Sequence, residues 1–165
     1  MTVCKGVIVF SAFILAVSGL PRPDTVLFKL DDGLRYQYVE DTDGGIHLAD
    51  HWMTSEDFTR AARFDPDRQT VYHLFTRTNP TVSQPLLLGN NGLLGMTNYN
   101  ARRRTIVLLH GWRVGADAQM NSLLVPAFLS AEDVNVIVVD WSAGAGDINY
   151  ATAVANTVTG GANIL

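Results

Sequence analysis

Two uninterrupted apolar runs, 106–109 and 136–139, end in polar or turn-forming residues: His110-Gly111-Trp112 after the first, Asp140-Trp141 after the second. Continuous rather than alternating hydrophobicity is the pattern of strands covered on both faces in a parallel sheet. Between the runs, Met120, Leu123, Leu124, Ala127 and Phe128 recur at helical spacing. A helix there, capped by Asp117 and kinked or restarted at Pro126, would make a right-handed crossover between parallel strands. After the second run, Tyr150, Val154 and Val158, with Ala151, Ala153 and Ala155 beside them, predict another helix that Gly160-Gly161 weakens. Strand, loop, helix, strand, loop, helix is the alternation of βαβ units. In open sheets of this kind the working site gathers just outside the carboxyl ends of the strands, so 110–112 and 140–141 are where chemistry is to be sought.

The amino-terminal part is more mixed. Stretches 26–30 and 34–39 have the composition of short strands, and Asp41-Thr42-Asp43-Gly44-Gly45 is a turn cluster. Residues 55–63 predict one short helix. In 70–78, Val71, His73 and Phe75 alternate with Tyr72, Leu74 and Thr76, giving a strand of undetermined face that Asn79-Pro80 is expected to end. A leucine triplet and an Asn90-Asn91-Gly92 turn follow.

Charge and cysteine content change the picture in two ways. Lys5, an uncharged apolar stretch 6–17 and the small residues Ser18 and Gly19 predict a secretory signal over 1–20, leaving 21–165 as one domain. The only cysteine, Cys4, falls inside that signal, so neither a disulfide framework nor a cysteine-based zinc site is available to the rest. With 12 basic and 16 acidic residues the chain is net negative, and it offers no Lys/Arg stripe to neutralise phosphates; nucleic acid is not an expected partner.

Several local patterns have ordinary readings. Asp140-Trp141-Ser142-Ala143-Gly144 nearly imitates a nucleophile turn, but an aspartate stands where the sharp bend wants a small residue, and Gly144-Ala145-Gly146 is a poor helix start. Asp140 reads better as a residue that caps or fixes the following loop. Gly144 and Gly146 after a strand suggest a dinucleotide loop, yet Asn149 replaces the third glycine and Asp147 would face a pyrophosphate. Arg102, Arg103 and Arg104 read as a solvated strand entrance, with lipid headgroups as the alternative contact. His47 and His51, with Asp50 between them, lack the glutamate of a zincin and would need a bend to share a metal; no metal or other cofactor is expected.

Taken in order, the block 71–80, the strand 104–109 leading into His110-Gly111-Trp112, the block 135–141 and the block 150–156 resemble the amino-terminal half of the pancreatic lipase family. The resemblance is to its insect branch of neutral lipases, phospholipases A1 and yolk-protein relatives, and it covers about 70–165. It implies the amino-terminal part of an α/β-hydrolase fold: an incomplete, mostly parallel sheet with flanking helices. It also implies ester hydrolysis by a serine with a histidine base and an orienting aspartate, in the chain order Ser, acid, His. No G-x-S-x-G occurs in the 165 residues, so the catalytic serine, aspartate and histidine are expected beyond Leu165, and the chain as it stands is expected to be inactive. What does carry over is half of an oxyanion hole. Trp112 stands at the family's aromatic position, making its backbone N–H the candidate donor, with His110 and Gly111 supporting the loop. The resemblance thus implies a secreted carboxylic ester hydrolase, a triacylglycerol lipase or phospholipase A1, acting on a lipid ester or at a lipid interface. The alternative is a lipid-binding or storage relative that has lost its serine.

Overall fold

The computed structural model describes residues 26–30, 32–41 and 43–161. The predicted signal segment 1–20 lies outside them. Among the described residues no helix is long and apolar enough to cross a membrane.

The amino-terminal part forms two antiparallel pairs: β1 (Val26–Lys29) with β4 (Trp52–Thr54), and β2 (Tyr36–Glu40) with β3 (Ile46–Asp50). The predicted turn cluster closes the second pair. Helix α1 (Ser55–Ala61) follows at once because Thr54 and Asp57 form a reciprocal capping box. In it the Thr54 hydroxyl serves the Asp57 N–H and the Asp57 carboxylate serves the Thr54 N–H, so two donors without helical acceptors are satisfied. A short α2 (Pro66–Gln69) leads into the main sheet.

That sheet contains β5 (Val71–Thr76), β6 (Asn79–Leu86), β7 (Thr105–Leu109) and β8 (Asn135–Asp140), in the order β6-β5-β8-β7. The one-turn helix α3 (Asn91–Leu94) lies on the path from β6 to β7. Helix α4 (Gln119–Ala131) crosses over from β7 to β8, which pair in parallel as the pattern predicts. The chain is therefore of mixed α/β class, but the expectation of a mostly parallel sheet is corrected: β5 runs antiparallel to both β6 and β8. Residues 77–78 alone join β5 to β6, and so short a link permits only an antiparallel hairpin. Asn79-Pro80 does not end the strand region but opens β6. Proline is tolerated there because β6 is an edge strand, where a missing N–H costs the ladder nothing.

On β5 the buried set is Tyr72, Leu74 and Thr76, which settles the face left open by the sequence. The main core lies between sheet and α4, where Leu108, Val136 and Val138 pack against Val125, Leu129 and Val134. Pro126 sits inside α4, which continues through it. Arg77, in the β5–β6 turn, donates to the carbonyls of Leu129 and Ser130, satisfying acceptors at the carboxyl end of that helix. Asp117 does not cap α4: its N-cap position is Ala118, without a side-chain cap from its own segment. Beyond β8 a four-residue α5 (Ser142–Ala145) precedes α6 (Tyr150–Gly161), whose first turn is capped by the Asn149 side chain accepting from the Thr152 N–H. The arginine run behaves as read: Arg103 pairs with Asp133 at 2.8 Å and Arg104 with Glu132 at 2.5 Å, all near the surface.

Candidate functional site

The parallel pairing of β7 and β8 in register, Leu109 opposite Val139, brings their carboxyl ends side by side. His110 and Asp140 therefore meet across the sheet. The His110 side chain is buried, with Nε2 3.2 Å from Asp140 Oδ1 and Nδ1 2.9 Å from Gly111 O. The Trp141 N–H points at the same Nε2 at 3.1 Å, and the Trp141 indole N–H donates to His110 O at 2.8 Å. With Nδ1 donating to Gly111 O, a neutral imidazole accepts the Trp141 N–H at Nε2; a protonated one donates from Nε2 to Asp140 instead. The two rings stack, 5.8 Å between centroids and 17° between planes.

Asp140 holds the segment after β8 as well, accepting from the Ser142 N–H at 3.0 Å. Burial pushes its carboxyl up, but the hydrogen bonds from the Ser142 backbone and side chain and from His110 outweigh it and leave the group below the ordinary carboxylate value. This matches the reading of Asp140 as a loop-fixing residue. It also bears on Ser142, which opens α5: its described partner is a carboxylate rather than the imidazole that would activate a nucleophile.

After β7 the chain turns through Gly111 and Trp112. Trp112 is buried, its indole N–H donating to Asp147 O at 2.8 Å, and its ring packs with Ala49 and Ala153 and stands edge-on to Tyr150 at 5.1 Å. The left-handed residue of the loop is Arg113, with φ 59°, a conformation that costs a non-glycine residue energy and persists only where surroundings impose it. Its N–H is pinned to Ala145 O at 3.2 Å, and its guanidinium lies 5.8 Å from the Trp112 ring. An open cleft of about 730 Å³ lies over this loop, lined by Asp41, His73, Arg113, Asp117, Asp140 and Ser142 among others.

The glycine pair after β8 is explained by packing. A Cβ at Gly144 would stand 2.7 Å from the buried Phe64 ring, and one at Gly146 would stand 2.8 Å from Ser142 O. Contrary to the expectation from those glycines, a short helix does start at Ser142, and Phe64 occupies the space a nucleotide loop would leave open. His47 and His51 do not come together: His47 bonds to Asp41 at 2.6 Å, while His51 is buried against the Tyr150 ring. No cluster of three or more metal-ligating side chains occurs among the described residues.

Nothing before about residue 68 resembles the family's chemistry, yet this stretch contributes Ala49, His47 and Val39 to the surroundings of Trp112. The alternation Val39 in β2 and His47, Ala49 in β3 was the available signal: these are the inward positions of a hairpin whose outward positions are Tyr36, Tyr38, Ile46 and Leu48.

The carboxyl ends of the parallel pair thus carry a His-Gly-Trp turn clamped to the second strand end by His110 and Asp140. The family model for Lipase matches residues 44–165, and the chain belongs to that family, the pancreatic lipase family. Lipase member H of Xenopus tropicalis is 41% identical over 85 residues, 51% of this chain and 18% of the relative. Phospholipase A1 member A of Mus musculus is 35% identical over 86 residues, 52% of this chain and 18% of the relative. Inactive pancreatic lipase-related protein 1 of Homo sapiens is 30% identical over 95 residues, 58% of this chain and 20% of the relative. The chain thus spans about a fifth of the length of these curated relatives.

Proposed function

We propose that this chain is the amino-terminal part of a secreted α/β-hydrolase that cleaves a carboxylic ester of a glyceride or phospholipid through an acyl-enzyme. In that reading Trp112 supplies one backbone N–H of the oxyanion hole, and His110 and Gly111 support the loop that presents it. The carrying observation is the loop at the end of β7: Trp112 fixed by its indole to Asp147 O, and Arg113 held in a left-handed conformation with its N–H on Ala145 O. Both constraints leave the intervening backbone little freedom, which is what an oxyanion donor needs, since it must already be in place when charge develops. Family membership supports a lipid ester as the substrate class.

The 165 residues contain no G-x-S-x-G, so this reading requires a serine, acid and base from outside them. A second reading, a non-catalytic lipid-binding or storage relative, is favoured by one specific observation: a relative bearing the name inactive pancreatic lipase-related protein 1 matches over 95 residues of this chain.

The experiment is to sequence the transcript through its 3′ end and assay the encoded product on triacylglycerol and on phospholipid. A frame that continues into G-x-S-x-G, Asp and His, with ester hydrolysis by the product, is the expected result. In such a product, disturbing the oxyanion loop should lower kcat by about 10²–10³-fold, the typical effect of losing one donor. A continuing frame with the serine replaced and no hydrolysis would establish the binding reading. A stop directly after Leu165 would overturn the proposal that this gene product is an enzyme.

A further inference from the structure

The β2–β3 hairpin, which carries no motif, touches the loop after β7 at both of that loop's ends. Asp41 is the organising residue of the hairpin tip. Its Oδ1 accepts from the N–H groups of Asp43 and Gly45 at 2.9 and 2.8 Å, and its Oδ2 accepts from His47 Nε2 at 2.6 Å. The hydrogen bond from His47, followed by that from the Gly45 backbone, holds the Asp41 carboxyl below its ordinary range. A side chain at residue 45 would force the pair to shift, because a Cβ there would stand 2.6 Å from Asp41 Oδ2 and 3.1 Å from His47 Nε2. So fixed, the His47 ring meets the Trp112 indole edge-on, 5.6 Å between centroids and 78° between planes. Two residues from Asp41, the Asp43 carboxylate accepts from the Gln119 N–H at 2.9 Å. Gln119 opens α4, whose own segment supplies no cap, so a residue 76 positions away does what Asp117 was expected to do.

The geometry points to Asp41, His47 and Asp43 as positioning residues that clamp the loop 110–118 at both ends and thereby hold the Trp112 N–H where an oxyanion would need it. This rests on the reading of Trp112 as the donor. The physical reason is one of tolerance. Loops are the mobile parts of a fold, whereas an oxyanion donor must lie within hydrogen-bond distance of an atom whose position is set elsewhere. Misplacement by about 1 Å can cost about 10²-fold in rate. An anchor on the ring at the start of the loop and another on the helix at its end remove that freedom.

Hydrogen exchange of the complete gene product tests the clamp. The reporters are the Trp112 indole N–H, which donates to Asp147 O, the Arg113 amide, which donates to Ala145 O, and the Gln119 amide, which donates to Asp43. His47→Ala should speed exchange at Trp112 and Arg113 by roughly tenfold or more, and Asp43→Ala should do so at Gln119, while the amides of 136–139 in β8 keep their protection. Asp43→Asn, which retains an acceptor, should restore most of the Gln119 protection. Glu40→Gln, on the outer face of the hairpin, should leave all three reporters unchanged. If His47→Ala prevents folding, Asp41→Asn, which keeps the side-chain shape and an acceptor for the Asp43 and Gly45 N–H groups while removing the charge that faces His47, carries the same expectation. Unchanged exchange at the reporters, or loss of protection in β8 to the same degree, would overturn the clamp. Whether the loop serves an oxyanion is read separately, from hydrolysis by that product, where His47→Ala should lower kcat with KM little changed. Either conclusion can therefore fail without the other.

Discussion

At the scale of single residues, the site is held by groups whose charge or size has one specific neighbour. Asp140 and Asp41 both have carboxyls held below their ordinary value of 3.8. A carboxyl whose folded-state pKa is depressed contributes stability that is fully present above the unfolded value and disappears as pH falls through the folded one. The molecule should therefore lose stability below about pH 4 in part through these two groups. Asp140→Asn should lower the urea midpoint at pH 7, and its gap from wild type should narrow progressively as pH falls below about 4; a gap unchanged in acid would remove the charge from the explanation. Gly144 makes a different kind of point. Because a Cβ there would press on the Phe64 ring at 2.7 Å, Gly144→Ala should destabilise by about 1–3 kcal/mol, the usual cost of overpacking. Phe64→Leu in the same chain should recover part of that loss in chemical denaturation. The sequence made Gly144 look like part of a phosphate loop because a glycine pair after a strand has that meaning locally. Its real neighbour is 80 positions away.

At the scale of elements, local chemistry was legible where it was self-contained. The helix after Thr54 begins at a capping box formed within three residues, and the sequence places that helix correctly. Thr54→Ala removes one side of the box and should cost about 1 kcal/mol, measurable as a shift in thermal or urea midpoint. The turn 41–45, β5, β7, α4, β8 and α6 were likewise readable, since each depends on spacing of apolar residues or on turn residues next to one another. The start of α4 was not. Asp117 has the right residue type at the right distance, but the cap comes from Asp43 in the β2–β3 turn, and no local rule anticipates an acceptor donated by another element. Pro80 misled in the opposite direction: proline does break a central ladder, but β6 lies at the edge.

At the scale of the whole molecule, β8 is interior to the main sheet, between β5 and β7, and among the described residues the edge opposite β6 is formed by β7. Val107 and Leu109 on that strand are 43% and 47% exposed, on the face away from α4. An exposed edge with apolar side chains favours association with another strand. The sheet centre is tight by contrast: Leu74 on β5 is fully buried, and Leu74→Ala should cost about 2–5 kcal/mol of unfolding free energy, measurable by urea denaturation. The sequence by itself determined the family and the βαβ unit from β7 to β8, and it singled out His110-Gly111-Trp112 and Asp140 at the strand ends, because apolar periodicity and strand-end motifs are encoded in adjacent residues. Only the tertiary structure decided that β5 pairs antiparallel beside β8, that Asp140 meets His110, and that the amino-terminal hairpin reaches Trp112 and the first turn of α4. Strand order and contacts across tens of residues follow from how separate apolar faces are buried together, and a one-dimensional pattern specifies which face is buried without specifying against what.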